Sequence, residues 1–204
     1  LFRKIAKGEE ITLSYIGGMN DNIHRDQRRT HLFKTYNFIC VCPACDLSEE
    51  QLQVQNKLCD EFNTLMIKKK EFEAMNVSAG YSINNGNTWK ELICLKELYK
   101  TAKGLKFFRR AEILEQIVEE GFDAACQGYL TMCEIEKKPN RKSPLALVTK
   151  KKTGFWEDVC TFSNIGLQIS TTVSGEDHSE TKEWGKRKES PVQFFEEFVL
   201  ASKT

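Results

Sequence analysis

From Leu52 to Met75 the apolar residues Leu58, Phe62, Leu65 and Met66 fall on one stripe between charged positions, the pattern of a surface helix that turns one face to a core. Trp89 to Ala102 repeats it with Leu92, Leu95, Leu98 and Tyr99. From Phe107 to Cys133, Ala111, Leu114, Val118, Phe122, Ala125 and Tyr129 follow at helical steps, so one face is continuously apolar and must pack on neighbours. Phe155 to Thr172 and Val192 to Ala201 are again helical by period. Between them lies the polar stretch GEDHSETKEW, in which Gly175 can end one helix and an acidic residue can start another. Gly80 to Asn87 reads as a linker, and Lys137 to Lys152, with two prolines and a run of lysines, is expected to be an exposed loop flanking a short turn of helix. The prediction is an array of antiparallel helices. No repeat recurs at the roughly 34-residue spacing of tetratricopeptide motifs. Small residues such as Ala124, Ala125 and Gly128 are nevertheless what helix pairing uses, so a degenerate helical-repeat domain is expected.

The beginning of the chain follows a different period. Leu1 to Ile16 reads as a β-hairpin: an extended LFRKIA, a turn at Lys7-Gly8-Glu9-Glu10, then ITLSYI with Ile11, Leu13 and Tyr15 alternating onto one face. Gly17 to Asn22 is a loop by its glycine and Asx content. HRDQRRTHLFKTY then predicts a short basic helix with Leu32 and Tyr36 at helical spacing. The expected fold class is therefore α+β at the N-terminus followed by a mostly α-helical, tetratricopeptide-like domain.

Composition adds bounds. With 204 residues, 40% of them apolar, the chain can bury the core of one large or two modest domains. Thirty basic against twenty-nine acidic residues leave a net charge of +1, so no global field draws it to nucleic acid or to an anionic membrane. No apolar run approaches the roughly 20 residues that a membrane helix needs. Eight cysteines are a small share of the chain and mostly scattered, which favours a reducing compartment over a disulfide scaffold. The chain opens on Leu1 in what reads as strand, and is expected to begin inside a larger protein.

The chemistry concentrates in FICVCPAC, where Cys40, Cys42 and Cys45 place three thiols at spacings that let a short turn wrap one metal ion, with zinc the natural occupant. Structural zinc is four-coordinate, so the fourth ligand is Cys59, the next thiol along, or lies outside this chain. Buried cysteines without metal are the alternative, set against the exposure of adjacent thiols to oxidation. Tyr15, taken alone, is an ordinary strand aromatic. His24, His31 and His178 have no ligand pattern around them, and Lys68-Lys69-Lys70 and Lys150-Lys151-Lys152 read as solvated faces.

In sequence order, KGEEITLSY, a spacer, an arginine-rich helix and YNFICVCPAC resemble the end of a SET domain running into its post-SET motif, most nearly that of the SET-and-MYND (SMYD-like) protein-lysine methyltransferases. These motifs cover about the first quarter of the chain. The resemblance implies domains at 1–38 (end of the SET domain), 39–50 (post-SET zinc segment) and 51–204 (helical C-terminal domain). It implies an S-adenosylmethionine-dependent lysine N-methyltransferase acting on a histone or another protein, in the nucleus or the cytoplasm. Tyr15 then corresponds to the tyrosine that positions the lysine amine and the methyl group, while Tyr36 and Phe38 line the lysine channel and the cofactor. Cys40, Cys42 and Cys45 bind a structural zinc whose fourth ligand, in the family, comes from an upstream segment near an Asn-His motif. That segment, the glycine-containing cofactor strand and the MYND finger have no counterpart in this sequence, so the chain alone is expected to be inactive. The competing reading is a non-catalytic, zinc-stabilised adaptor whose helices bind a partner peptide. A zinc-dependent nucleic-acid module ranks last.

Overall fold

Six helices succeed one another in the computed structural model, which describes residues 7–8, 15, 24–78, 87–106, 110–137, 145–194 and 197. They are α1 (Arg25–Tyr36), α2 (Glu49–Ser78), α3 (Asn87–Gly104), α4 (Arg110–Lys137), α5 (Leu145–Ser174) and α6 (Ser179–Glu189). The mostly helical class is as expected. No strand occurs among the described residues, and the hairpin expected over 1–16 lies outside them, apart from a turn at Lys7–Gly8, where Gly8 takes φ 88°, and Tyr15. Of the helix expected over Val192 to Ala201, residues 192–194 and 197 are described, and they are helical.

Two expectations are corrected. Lys137 to Lys152 is not a loop throughout: α4 runs to Lys137 and α5 starts at Leu145, so Lys150 to Lys152 are helical. Leucine, alanine and lysine are strong helix formers, so the run that starts at Leu145 carries its helix through the lysines. The polar GEDHSETKEW stretch contains most of α6, whose buried residues are Thr181, Trp184 and Arg187. Two of those three are polar, which hides the helical stripe from a hydrophobic-period reading.

Side chains fix the ends of the helices. Ser48 and Gln51 form a capping box ahead of α2: the Gln51 N–H donates to Ser48 Oγ and the Ser48 N–H to Gln51 Oε1, each at 3.3 Å. Gln55 of α2 caps the far end of α3, donating to the Gly104 carbonyl at 2.9 Å and accepting from the Lys106 N–H at 2.7 Å. Gly175, at φ 91°, ends α5 in the left-handed region. Thr181 donates to the Gly175 carbonyl at 2.8 Å and lies 2.9 Å from Ser170 Oγ, tying α6 back onto α5.

The extensive helix contacts are all between neighbours in sequence, α2 on α3, α3 on α4, α4 on α5 and α5 on α6. One core cluster joins α2, α3 and the start of α4 through Phe62, Leu95, Leu98 and Ile117. A second joins α3 to α6 through Leu92, Phe122, Phe155, Phe162 and Trp184. Glycines set the register: a Cβ at Gly121 would meet the Phe162 ring, one at Gly128 the Phe155 ring, and one at Gly166 the Trp184 ring, all inside 3.0 Å. Moving along α4 from Gly121 to Gly128 moves back along α5 from Phe162 to Phe155, which makes the two helices antiparallel.

Charges link helices one further apart. Lys69 of α2 pairs with Glu120 of α4 at 2.9 Å, Lys96 of α3 with Asp158 of α5, and Arg187 of α6 with Glu119 of α4 at 3.1 Å. Lys69 is therefore no solvated-face lysine; it is 7% exposed. Burial presses its pKa down, but the Glu73 and Glu120 carboxylates outweigh that and hold it above the usual lysine range. Lys152 is likewise paired, with Glu136 at 2.6 Å.

Asp123 lies in the same charged layer. Burial pushes its carboxyl up, Arg187 pulls it down, and Glu119 and Glu120 push it up again, leaving it at about 6 against an ordinary 3.8. The folded state thus holds this proton more tightly than the unfolded chain. Its contribution is fully favourable below pH 3.8 and is lost as pH rises through about 6. Asp123→Asn is expected to gain on the order of 1–2 kcal/mol at pH 7 and nothing at pH 3.5. Urea melts at the two pH values check this, and an equal gain at both would exclude the titration as its cause.

Candidate metal centre

The site is built where α1 gives way to α2. Asn37 ends α1 in the left-handed conformation, φ 56°, its N–H donating to the Phe33 carbonyl at 2.9 Å. Asparagine tolerates that conformation better than most residues, and the turn redirects the chain into Phe38 to Leu47. Within this segment Cys42-Pro43-Ala44-Cys45 closes a tight turn: the Cys42 carbonyl accepts from the Cys45 N–H at 2.7 Å and from the Asp46 N–H at 2.8 Å. Pro43 suits the second position of such a turn because its φ is already fixed there.

Three arginines on one side of α1 clasp the turn by its backbone. Arg28 donates to the Ala44 carbonyl at 2.9 Å, Arg29 to the Cys40 carbonyl at 3.1 Å and Arg25 to the Leu47 carbonyl at 3.3 Å. Arg28 is buried at 8% exposure, and Leu32, one turn later, at 2%. The buried edge of α1 is thus Arg28 and Leu32, whereas Tyr36, paired with Leu32 by spacing, is half exposed. Reading this helix as merely basic missed the clasp. The available signal was the spacing Arg25, Arg28, Arg29, which gathers three guanidinium groups on one face.

This clasp leaves Cys40, Cys42 and Cys45 with their sulfurs all within 4.8 Å of one another. Zn–S bonds of about 2.3 Å in a tetrahedral site place sulfurs about 3.8 Å apart, so the three thiols fit such an ion with small adjustment. A set of three thiolates is also the chemistry that selects a soft or borderline ion such as zinc. Burial raises the Cys42 thiol, but hydrogen bonds from the Cys40 side chain and the Ala44 and Cys45 backbone outweigh it and bring it below the usual cysteine value. Burial and the neighbouring Cys42 push Cys45 up to about 11, with Arg28 opposing. A metal must therefore displace the Cys45 proton, and its affinity falls as pH falls.

Cys59, the alternative fourth ligand, is not in this group. It is 4% exposed in the apolar cluster with Phe62, Leu95 and Leu98, and burial raises its pKa. Among the described residues the thiol set stops at three. His24 pairs with Asp60 of α2 at 2.9 Å, and His178 accepts the Glu180 N–H at the start of α6. His178 thus caps a helix while His24 ties the start of α1 to α2, and no histidine belongs to the thiol group.

One further cluster borders the turn. The Tyr15 ring lies 5.3 Å from the Tyr36 ring and 5.3 Å from the Phe38 ring, centroid to centroid, with Phe38 edge-on. The structure thus brings together the three aromatic residues singled out in the sequence, next to the thiol segment that begins at Cys40. Tyr15 and Tyr36 each keep about half of their surface exposed, 51% and 48%.

Metal analysis of the purified protein is expected to find close to one zinc per chain, lost when Cys40, Cys42 and Cys45 are replaced together by serine, with helical circular dichroism retained. Folded, metal-free wild type after zinc reconstitution would refute the assignment. No described helix is long and apolar enough to cross a membrane. No protein-family model matches the chain, and no curated protein matches it.

Proposed function

We propose that this chain is the post-SET and C-terminal helical part of a protein-lysine N-methyltransferase that uses S-adenosylmethionine. The observation that carries the reading is the aromatic trio: Tyr15, distant in sequence, packs on Tyr36 and Phe38 directly ahead of a three-thiol turn. A zinc-fixed turn beside an aromatic wall is what such a transferase needs to hold a lysine side chain in line with a methyl donor.

S-adenosylmethionine, when bound, supplies a methyl group on a sulfonium. The chain's own residues do the rest of the work assigned here. Tyr36 and Phe38 flank the lysine stem and exclude water. That exclusion disfavours the ammonium form, so the amine can present its lone pair. The Tyr15 hydroxyl orients that amine, a contribution of position and electrostatics rather than of proton abstraction. Zinc on Cys40, Cys42 and Cys45 fixes the segment that carries Phe38 and takes no part in the transfer. Residues 1–38 would then be the end of a SET β-fold, and 51–204 a tetratricopeptide-like domain, in a protein of the nucleus or cytoplasm.

The test is transfer of labelled methyl groups from S-adenosylmethionine to a panel of histones and lysine peptides by the full-length protein. Labelled lysine supports the reading, and failure both to bind the donor and to transfer overturns it. A second reading rests on the array α2 to α6, whose neighbour-on-neighbour packing is that of helical-repeat scaffolds: a non-catalytic adaptor presenting these helices to a partner peptide. It requires partner binding that is indifferent to Tyr15.

A further inference from the structure

The thiol turn has a second chemistry open to it. Cys42 and Cys45 stand at the first and fourth positions of a closed turn, and a β-turn brings those Cα atoms within about 7 Å, close to the range that a disulfide spans. Their sulfurs are already within 4.8 Å. Cys42 is exposed, so an oxidant can reach it, whereas Cys45 at 2% exposure is accessible chiefly to its neighbours. Cys40, with one residue between it and Cys42, would close a smaller and more strained ring. The backbone of the turn is held separately from its thiols, by Arg28 on the Ala44 carbonyl and Arg29 on the Cys40 carbonyl. Losing a metal therefore removes the ion without removing the clasp.

From these features we infer that the turn is a reversible oxidation site, at which a Cys42–Cys45 disulfide replaces the metal. The oxidant is a peroxide. The Cys42 sulfur attacks one peroxide oxygen and the O–O bond breaks, giving Cys42 sulfenic acid and hydroxide, which takes up a proton to become water. The Cys45 sulfur then attacks the Cys42 sulfur. The S–S bond forms, the S–O bond breaks, and the departing hydroxide leaves as water with a second proton. Two thiols and one hydrogen peroxide thus give one disulfide and two waters, the sulfurs losing the two electrons that the peroxide gains. A dithiol reverses it by exchange. With only Cys40 left of the three thiols, the ion is released.

The experiment uses the full chain, reconstituted with zinc and treated with stoichiometric hydrogen peroxide. Released zinc is followed with a chromogenic chelator, and disulfides are located by peptide mass mapping. The expected result is one Cys42–Cys45 disulfide for each zinc released, retained helical circular dichroism, and recovery of zinc binding on adding dithiothreitol and zinc. Cys40→Ser should still form the disulfide, and Cys42→Ser should not. The disulfide arm is repeated on metal-free protein, so a failure of the zinc assignment stays separate from a failure of this one. Sulfinic or sulfonic acid at Cys42 without a disulfide, a Cys40–Cys42 bridge, or cross-linking between chains as the main product would each overturn the inference.

Discussion

On the proposed methyltransferase reading, Tyr15→Phe is expected to slow methyl transfer by the full-length protein about 10²–10³-fold, the usual cost of removing one oriented hydrogen-bonding group from an active site. The ring stays, so its 5.3 Å contacts with Tyr36 and Phe38 are kept and only the hydroxyl goes. Zinc content and helicity should therefore be unchanged. The loss should fall on kcat rather than on KM for the protein substrate, because the hydroxyl acts on the approach of the amine and not on the rest of the substrate. Steady-state kinetics with labelled donor check this. Wild-type rates in Tyr15→Phe would remove the tyrosine from the mechanism.

The largest change in stability is expected at the Gly121–Phe162 contact between α4 and α5. Phe162→Ala should cost about 3–5 kcal/mol, since the ring is 2% exposed and its loss leaves a cavity in the second core cluster. Gly121→Ala should cost about 1–3 kcal/mol for the opposite reason, because its methyl group would occupy space already taken by that ring. The double variant tests the pairing. In a Phe162→Ala background the methyl enters vacated space, so Gly121→Ala should cost nothing further or recover some stability. Urea unfolding of the four proteins measures the coupling, and additive losses would mean that the two residues do not share one packing site.

How far the sequence could be read depended on which residues form the buried faces. Leu58 and Phe62, Leu92, Leu95 and Leu98, and Val118, Phe122 and Ala125 are apolar residues on long amphipathic helices, so period alone placed α2, α3 and α4 to within a few residues. α6 escaped because Thr181 and Arg187 occupy its buried stripe, and a guanidinium that stacks 4.3 Å from the Trp184 ring cannot be told from a solvated one by hydropathy. The start of α5 was hidden for a related reason, since its lysine run is helical and Lys152 is paired with Glu136 rather than lying in a loop. At the site, the thiol spacing pointed to the cluster of three sulfurs, which could hold a metal ion, and motif order singled out Tyr15, Tyr36 and Phe38. The arginine clasp was missed because, although Arg25, Arg28 and Arg29 share a helix face, their partners are backbone carbonyls, which carry no sequence signal. Cys59 was drawn to the site by proximity along the chain, although helix α2 turns it into the apolar cluster instead.

The charge pairs between alternate helices also bear on how the molecule assembles. Apolar contacts between sequence neighbours can form as soon as each helical hairpin is complete, so contact order is low and docking can proceed in order along the chain. The Lys69–Glu120, Lys96–Asp158 and Arg187–Glu119 pairs each bridge over one intervening helix, and so can close only after that helix has docked in register. A hairpin that slips by one turn would still bury hydrophobic surface, but it would leave Lys69, Asp158 or Arg187, each under 10% exposed, facing the wrong neighbour. Because a slipped helix would bury one of these groups without its partner, the three pairs disfavour misregistered packings of the array.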